Sequence, residues 1–190
     1  MNSAQSEVVS FTRMDEGTRQ DFALLVRRHD ATFTPQHLVD NVMTMLRSME
    51  RYRAGLQVSY LEHSIQTATR AYRANARDDL VAAALLHDIG DVLAPSNHGE
   101  VAGAIVAPFL DEEATWIVRH HPVFQGYHFW DKLDRDRDAR EQFRSSPYFD
   151  ATAQFCADWD QRSFDPAYNS MALEDFEPLL RDLLRRPARH

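Results

Sequence analysis

The sequence predicts an all-α protein, and three observations carry that prediction. Gly (6) and Pro (8) are few in 190 residues. No stretch alternates apolar and polar residues for long enough to be a strand. Apolar residues instead recur at three-and-four spacing in segment after segment, the signature of helices with one buried stripe.

The elements follow in order. Asp15 to Arg28 carries Phe22, Leu24, Leu25 and Val26 and reads as a first helix. Thr34-Pro35 reads as a cap followed by Pro in the first helical position, opening a helix through Leu38, Val39, Val42, Met45, Leu46 and Met49. Ser59 to Ala74 follows, with Leu61, Ile65, Ala68 and Tyr72 on one stripe. Asp78 or Asp79 then caps Leu80 to His87, which is apolar all round, so it belongs at the centre of the bundle. Gly90 ends it. His98 to Phe109 and Glu112 to His121 form two more helices, broken by Pro95, Pro108 and Pro122. Asp131 to Arg144 is strongly charged and reads as a solvated helix or loop. Tyr148 to Trp159 and Leu173 to Arg185 are the last helices, separated by a turn-rich segment from Ser163 to Ser170.

Length and charge narrow the function. A chain of 190 residues fits one domain, with 1–30 and 186–190 peripheral and mobile. Hydrophobic residues at 44% and charged residues at 26% exclude a disordered or fibrous chain. Lys plus Arg is 21 against 29 Asp plus Glu, a net charge of −8, which argues against a nucleic-acid partner and an anionic membrane surface. No apolar run reaches the ~20 residues that span a bilayer. Met1 to Phe11 lacks the apolar core of a signal peptide. The single Cys cannot form an intrachain disulfide, and the sequence reads as cytoplasmic.

Histidine is the anomaly. Six of the nine lie between positions 63 and 128. His87-Asp88 ends the apolar helix, where an imidazole and a carboxylate buried without partners would cost several kcal/mol. A divalent metal satisfies both. His63 falls on the stripe of Gln66, Thr67 and Arg70, turned from Leu61 and Ile65, and Asp160 follows Trp159 at the end of a late helix. His63, His87, Asp88 and Asp160 make one metal site. Asp158 competes with Asp160, and Cys156, one turn earlier, reads as a small core residue.

His63, then His87-Asp88, then Asp160 on successive helices resembles the HD-domain superfamily. Ala83-Ala84-Leu85-Leu86-His87-Asp88-Ile89-Gly90 matches its central motif. The resemblance spans about Tyr52 to Leu180 and implies a helical bundle with a metal site between its central helices. Two further histidines, His98 and His121, extend the set to six ligands for two metals bridged by Asp88. That ordering resembles the mixed-valent di-iron oxygenases of the superfamily, the hydroxyphosphonate-cleaving enzymes and myo-inositol oxygenase. Leu61 to Ala68 resembles the first-ligand helix of the phosphonate enzymes, and Leu173 to Leu180 their C-terminal helix. The resemblance implies two Fe ions as Fe(II)/Fe(III), with O2 and a small hydroxylated molecule as partners. Carbon–carbon or carbon–phosphorus cleavage follows. Mn, Zn or Mg on the same ligands would instead serve phosphoester hydrolysis. His120 competes with His121 for one ligand place, and the resemblance favours His121. It also implies a Tyr gate upstream of the first ligand, for which Tyr52 and Arg53 are the candidates.

The departures concern substrate. Where the phosphonate enzymes carry basic or donor side chains, this sequence has Asp91, Gln125 and Ala157. A dianion without Lys or Arg partners is poorly held, and Arg70, Arg73 and Arg119 are the nearest cations in sequence. Asp91, Gln125 and Tyr127, with the aromatics of the His121 to Trp130 segment, read as the substrate contacts for a neutral polyol-like or cationic molecule.

Overall fold

The computed structural model describes residues 8–186. Among them are eight α-helices and no strand: α1 (Arg19–Thr32), α2 (Pro35–Ser48), α3 (Tyr60–Arg73), α4 (Asp78–Leu86), α5 (His98–Val106), α6 (Glu112–Gly126), α7 (Phe149–Asp158) and α8 (Glu177–Leu184). The parts of the expected mobile ends at 1–7 and 187–190 lie outside the described residues.

The bundle is built around α4. Val81 to Leu86 are all buried, and its three consecutive alanines present little bulk to α3 and α6. α8 covers α2 and α4 with Leu180, Leu183 and Leu184. Burying each such Leu side chain is worth roughly 1.5–3 kcal/mol, which is why the apolar pattern of α4 dictates its central place. α1 leaves Leu25 and Val26 in solvent.

Several boundaries differ from the sequence reading, each for a local reason. The first helix starts at Arg19 because Thr18 and Asp21 form a reciprocal cap, leaving Met14–Glu16 as a separate 3-10 turn. α4 is preceded by Arg77, and neither acidic residue caps it. Asp79 is buried instead, accepting the Asp111 N–H at 2.9 Å and pairing with Arg186 at 3.0 Å. It thereby ties α4 to the start of α6, whose cap is Asp111. Tyr72 falls off its stripe and is exposed. α5 stops at Val106, ahead of Pro108. The charged segment forms two 3-10 turns, Trp130–Leu133 and Arg137–Phe143.

The most consequential difference is at Pro122, which lies inside α6 rather than ending it. Proline has no N–H to give the carbonyl four residues back, here that of Val118. His121 supplies the missing donor, its Nδ1 standing 2.7 Å from that oxygen.

Candidate metal centre

Each histidine of the predicted set is mounted the same way. His87 Nδ1 is 2.9 Å from the Ala84 carbonyl, left open where α4 ends. His121 Nδ1 takes the Val118 carbonyl. His63, on α3, reaches the Ser163 carbonyl at 3.0 Å, and His98, the first residue of α5, reaches the Pro95 carbonyl at 3.1 Å. A carbonyl only accepts, so all four Nδ1 atoms carry hydrogen and all four Nε2 atoms face inward. Phe164 stacks on the His63 ring at 4.4 Å and holds it flat.

The inward atoms meet in two groups. His63 Nε2 lies 3.1 Å from His87 Nε2, 3.2 Å from Asp160 Oδ1 and 3.4 Å from Asp88 Oδ2. His87 Nε2 is 3.3 Å from the same Asp88 oxygen. On the other side, Asp88 Oδ1 is 3.1 Å from His121 Nε2 and 3.5 Å from His98 Nε2, which are 3.3 Å from each other. Asp88 thus turns one carboxylate oxygen to each group.

These donors fit metal ions. With all four rings neutral, as metal ligation requires, the facing Nε2 lone pairs cannot satisfy each other, and a cation between them does. Donors ~2.1 Å from one ion are spaced about 3.0 Å at right angles and about 3.4 Å in a tetrahedron. Most of the observed separations, 3.1–3.4 Å, fall in that range, and His98 Nε2 to Asp88 Oδ1 at 3.5 Å and His87 Nε2 to Asp160 Oδ1 at 3.7 Å are slightly wider. Asp160 Oδ2 is buried with no hydrogen-bond partner, an acceptor that a cation would satisfy.

The electrostatics agree. Burial pushes the His87 imidazole toward neutrality, but Asp88 and then Asp160 outweigh it and raise its pKa to about 9. His98 is likewise opposed by burial and raised to about 9, by Asp91 and Asp88. Burial keeps His121 below its ordinary value, and the His87 charge reinforces that against the pull of Asp88. Burial works against the charged forms of Asp88 and Asp160, yet the surrounding histidines hold both well below the usual carboxylate range. Without metal, protons on His87 and His98 therefore compensate the buried carboxylates.

The centre floors a cavity of about 830 Å³ lined by His63, Asp88, His98, His121 and Asp160. Of the three residues expected to contact substrate, Asp91 and Gln125 line it too. Tyr52 and Tyr127 do not. Tyr52 is 43% exposed, and its carbonyl accepts the Tyr60 N–H at 2.9 Å. Tyr127 is covered by the guanidinium groups of Arg140 and Arg137, 3.5 and 4.2 Å from its ring centre. Arg53, the alternative gate, donates to the Gln57 carbonyl and pairs with Glu50. The aromatic hydroxyl at the cavity belongs to Tyr60, kept protonated by burial and then by Asp91 and Asp88. Its signal was its place three residues before His63, one turn away on the same face. His120 stacks on Trp116 at 3.6 Å, away from the centre. Cys156 is buried, its thiol pushed up by burial and by Asp160.

The cavity has one arginine, Arg135, whose guanidinium lies 4.1 Å from the Trp130 ring centre. Arg70 and Arg73 are spent on loop carbonyls and Tyr168, and Arg119 on Glu100. Gln125 Oε1 and His128 Nε2 are buried without hydrogen-bond partners, and both residues line the cavity.

Fold and donors together define a helical domain built to hold divalent metal between its central helices. The chain belongs to the HD-domain family: residues 60–157 match the HD-domain profile, from the start of α3 almost to the end of α7. HD domains bind divalent metals and are generally metal-dependent enzymes. No curated protein is significantly similar in sequence. No helix among the described residues is long and apolar enough to cross a membrane.

Proposed function

We propose that this HD domain is a di-iron oxygenase that cleaves a carbon–carbon or carbon–phosphorus bond of a small hydroxylated substrate, with the shortage of cations favouring carbon–carbon. The observation that supports two irons is the second donor pair, His98 and His121, converging on the Asp88 oxygen that His63 and His87 do not use. His63, His87, Asp88 and Asp160 would hold one ion; Asp88, His98 and His121 would hold the other and leave positions on the cavity side open. An iron pair, when bound, supplies the activation of O2 and a Lewis-acidic anchor for a substrate hydroxyl.

The chain does the remaining work. The carbonyl-bound Nδ1–H groups fix each imidazole and its tautomer. The protonated Tyr60 hydroxyl, Gln125 Oε1 and the His128 ring stand on the cavity wall as partners for substrate hydroxyls. Burial and then Arg140 lower the His128 pKa, so its ring is neutral at pH 7. Phe129, Trp130 and Phe164 line the cavity and limit water. A phosphoester or phosphonate dianion calls for bidentate or paired cations, and a lone arginine stacked on Trp130 supplies neither.

The test is anaerobic loading with Fe(II), partial oxidation, EPR, and O2 uptake across a panel of small polyols and amino alcohols. The proposal predicts a coupled Fe(II)/Fe(III) signal below g = 2 that a substrate perturbs, and substrate-dependent O2 consumption. A centre that gives no such signal, together with phosphoester turnover by the Mn-loaded protein, would overturn it in favour of hydrolysis.

A further inference from the structure

Among the four histidines His98 is the odd one. His63, His87 and His121 are buried, with Nδ1 on a carbonyl at 2.7–3.0 Å. His98 opens α5, is only partly buried, and meets the Pro95 carbonyl at 3.1 Å. It is also the one whose Nδ1 faces a carboxylate: Asp91 Oδ1, likewise at 3.1 Å.

Asp91 and Asp88 belong to one turn, closed by the Asp91 N–H donating to the Asp88 carbonyl at 3.0 Å. That turn brackets the His98 ring, with Asp88 Oδ1 near Nε2 and Asp91 Oδ1 on Nδ1. Gly90 lies between them, and its bare Cα lets the turn press against the His98 backbone. The two ring nitrogens point to opposite sides, so the Asp91 oxygen on Nδ1 does not share an ion with Nε2. Asp91 instead orients the ring and strengthens it as a donor, as a carboxylate behind a ligating histidine does more than a carbonyl.

From this bracket we infer that Asp91 is a positioning residue for the second metal position, rather than a substrate contact. The position it serves has three protein donors against four at the other, so it depends most on the quality of each. This inference rests on the two-metal reading above.

The test is anaerobic equilibrium dialysis of Fe(II) alone against metal-free wild type, Asp91→Ala, Asp91→Asn, His98→Ala and the Asp91→Ala/His98→Ala double variant. Circular dichroism checks that each is folded. Wild type is expected to bind two Fe(II) per chain. Asp91→Ala should weaken one of them by about 10- to 100-fold and leave the other unchanged. Asp91→Asn, whose side-chain oxygen still accepts from Nδ1–H, should recover part of the loss and carries the test if the alanine variant does not fold. The double variant should bind no more weakly than His98→Ala, because Asp91 acts through that ring. Two sites of wild-type affinity in Asp91→Ala and Asp91→Asn would overturn the inference while leaving two metals standing. Losses that add in the double variant would also overturn it. A single Fe(II) in wild type would remove the two-metal reading and this inference with it.

Discussion

Replacing Gly90 with alanine probes the centre through its backbone. A Cβ at Gly90 would sit 2.5 Å from the His98 carbonyl oxygen and 3.1 Å from its Cα. The obstacle is main chain, which cannot rotate aside. Reaching ordinary contact near 3.4 Å requires the turn carrying Asp88 and the start of α5 to separate by about 0.9 Å. Metal–ligand distances tolerate only about ±0.2 Å, so that displacement takes His98 out of reach of an ion shared with Asp88 and His121. Overpacking of this kind costs about 1–3 kcal/mol. In a chain of this size that lowers Tm by roughly 2–12 °C. The assay is thermal unfolding of metal-free Gly90→Ala, with iron counted per chain after anaerobic loading. A lower Tm and the loss of one iron of two are expected. A wild-type Tm with two irons retained would mean instead that the contact between turn and α5 does not set the position of His98.

Three further outcomes follow from the same geometry. Loading metal-free protein at pH 7 should release two protons per chain, from His87 and His98, whose pKa values are raised to about 9 without metal. Because the raised groups are protonated below that value, metal affinity should climb with pH and level off above about 9; pH-stat titration checks this, and no proton release would contradict it. His63→Ala and His121→Ala should each lose one metal, and the metal each retains should differ in spectrum, since the two rings serve opposite oxygens of Asp88. His120→Ala should keep the full metal load, because its ring packs on Trp116; a lost metal would mean the neighbouring histidines had been assigned the wrong way round.

The legible parts of the sequence were those governed by burial. α4 could be read as central because nothing polar interrupts Leu80 to Leu86, and a His-Asp pair closing such a helix needs a partner. Pro122 was misread because proline normally ends a helix. A donor from the preceding side chain, His121 Nδ1, compensates the lost N–H, and periodicity does not reveal such a substitution. Asp79 was misread for a related reason: its partners, Asp111 and Arg186, are distant in sequence. The cavity wall was the least legible part. Tyr52 and Tyr60 differ by eight positions and share a backbone bond, but of the two the helical Tyr60 lines the cavity. Tyr127 belongs to a segment whose His128, Phe129 and Trp130 line the cavity, and it is drawn off by two arginines from the following charged segment. Asp91 could be placed at the site from its distance to Asp88, but its grip on His98 depends on the fold of the intervening loop.

Everything proposed for this site turns on Asp88 joining two metal positions. The most direct measurement is a crystal structure of the anaerobically iron-loaded protein with anomalous data collected at the iron edge. Two anomalous peaks are predicted, one among His63, His87, Asp88 and Asp160, and one among Asp88, His98 and His121. A single peak, or a second peak away from His98 and His121, would contradict it.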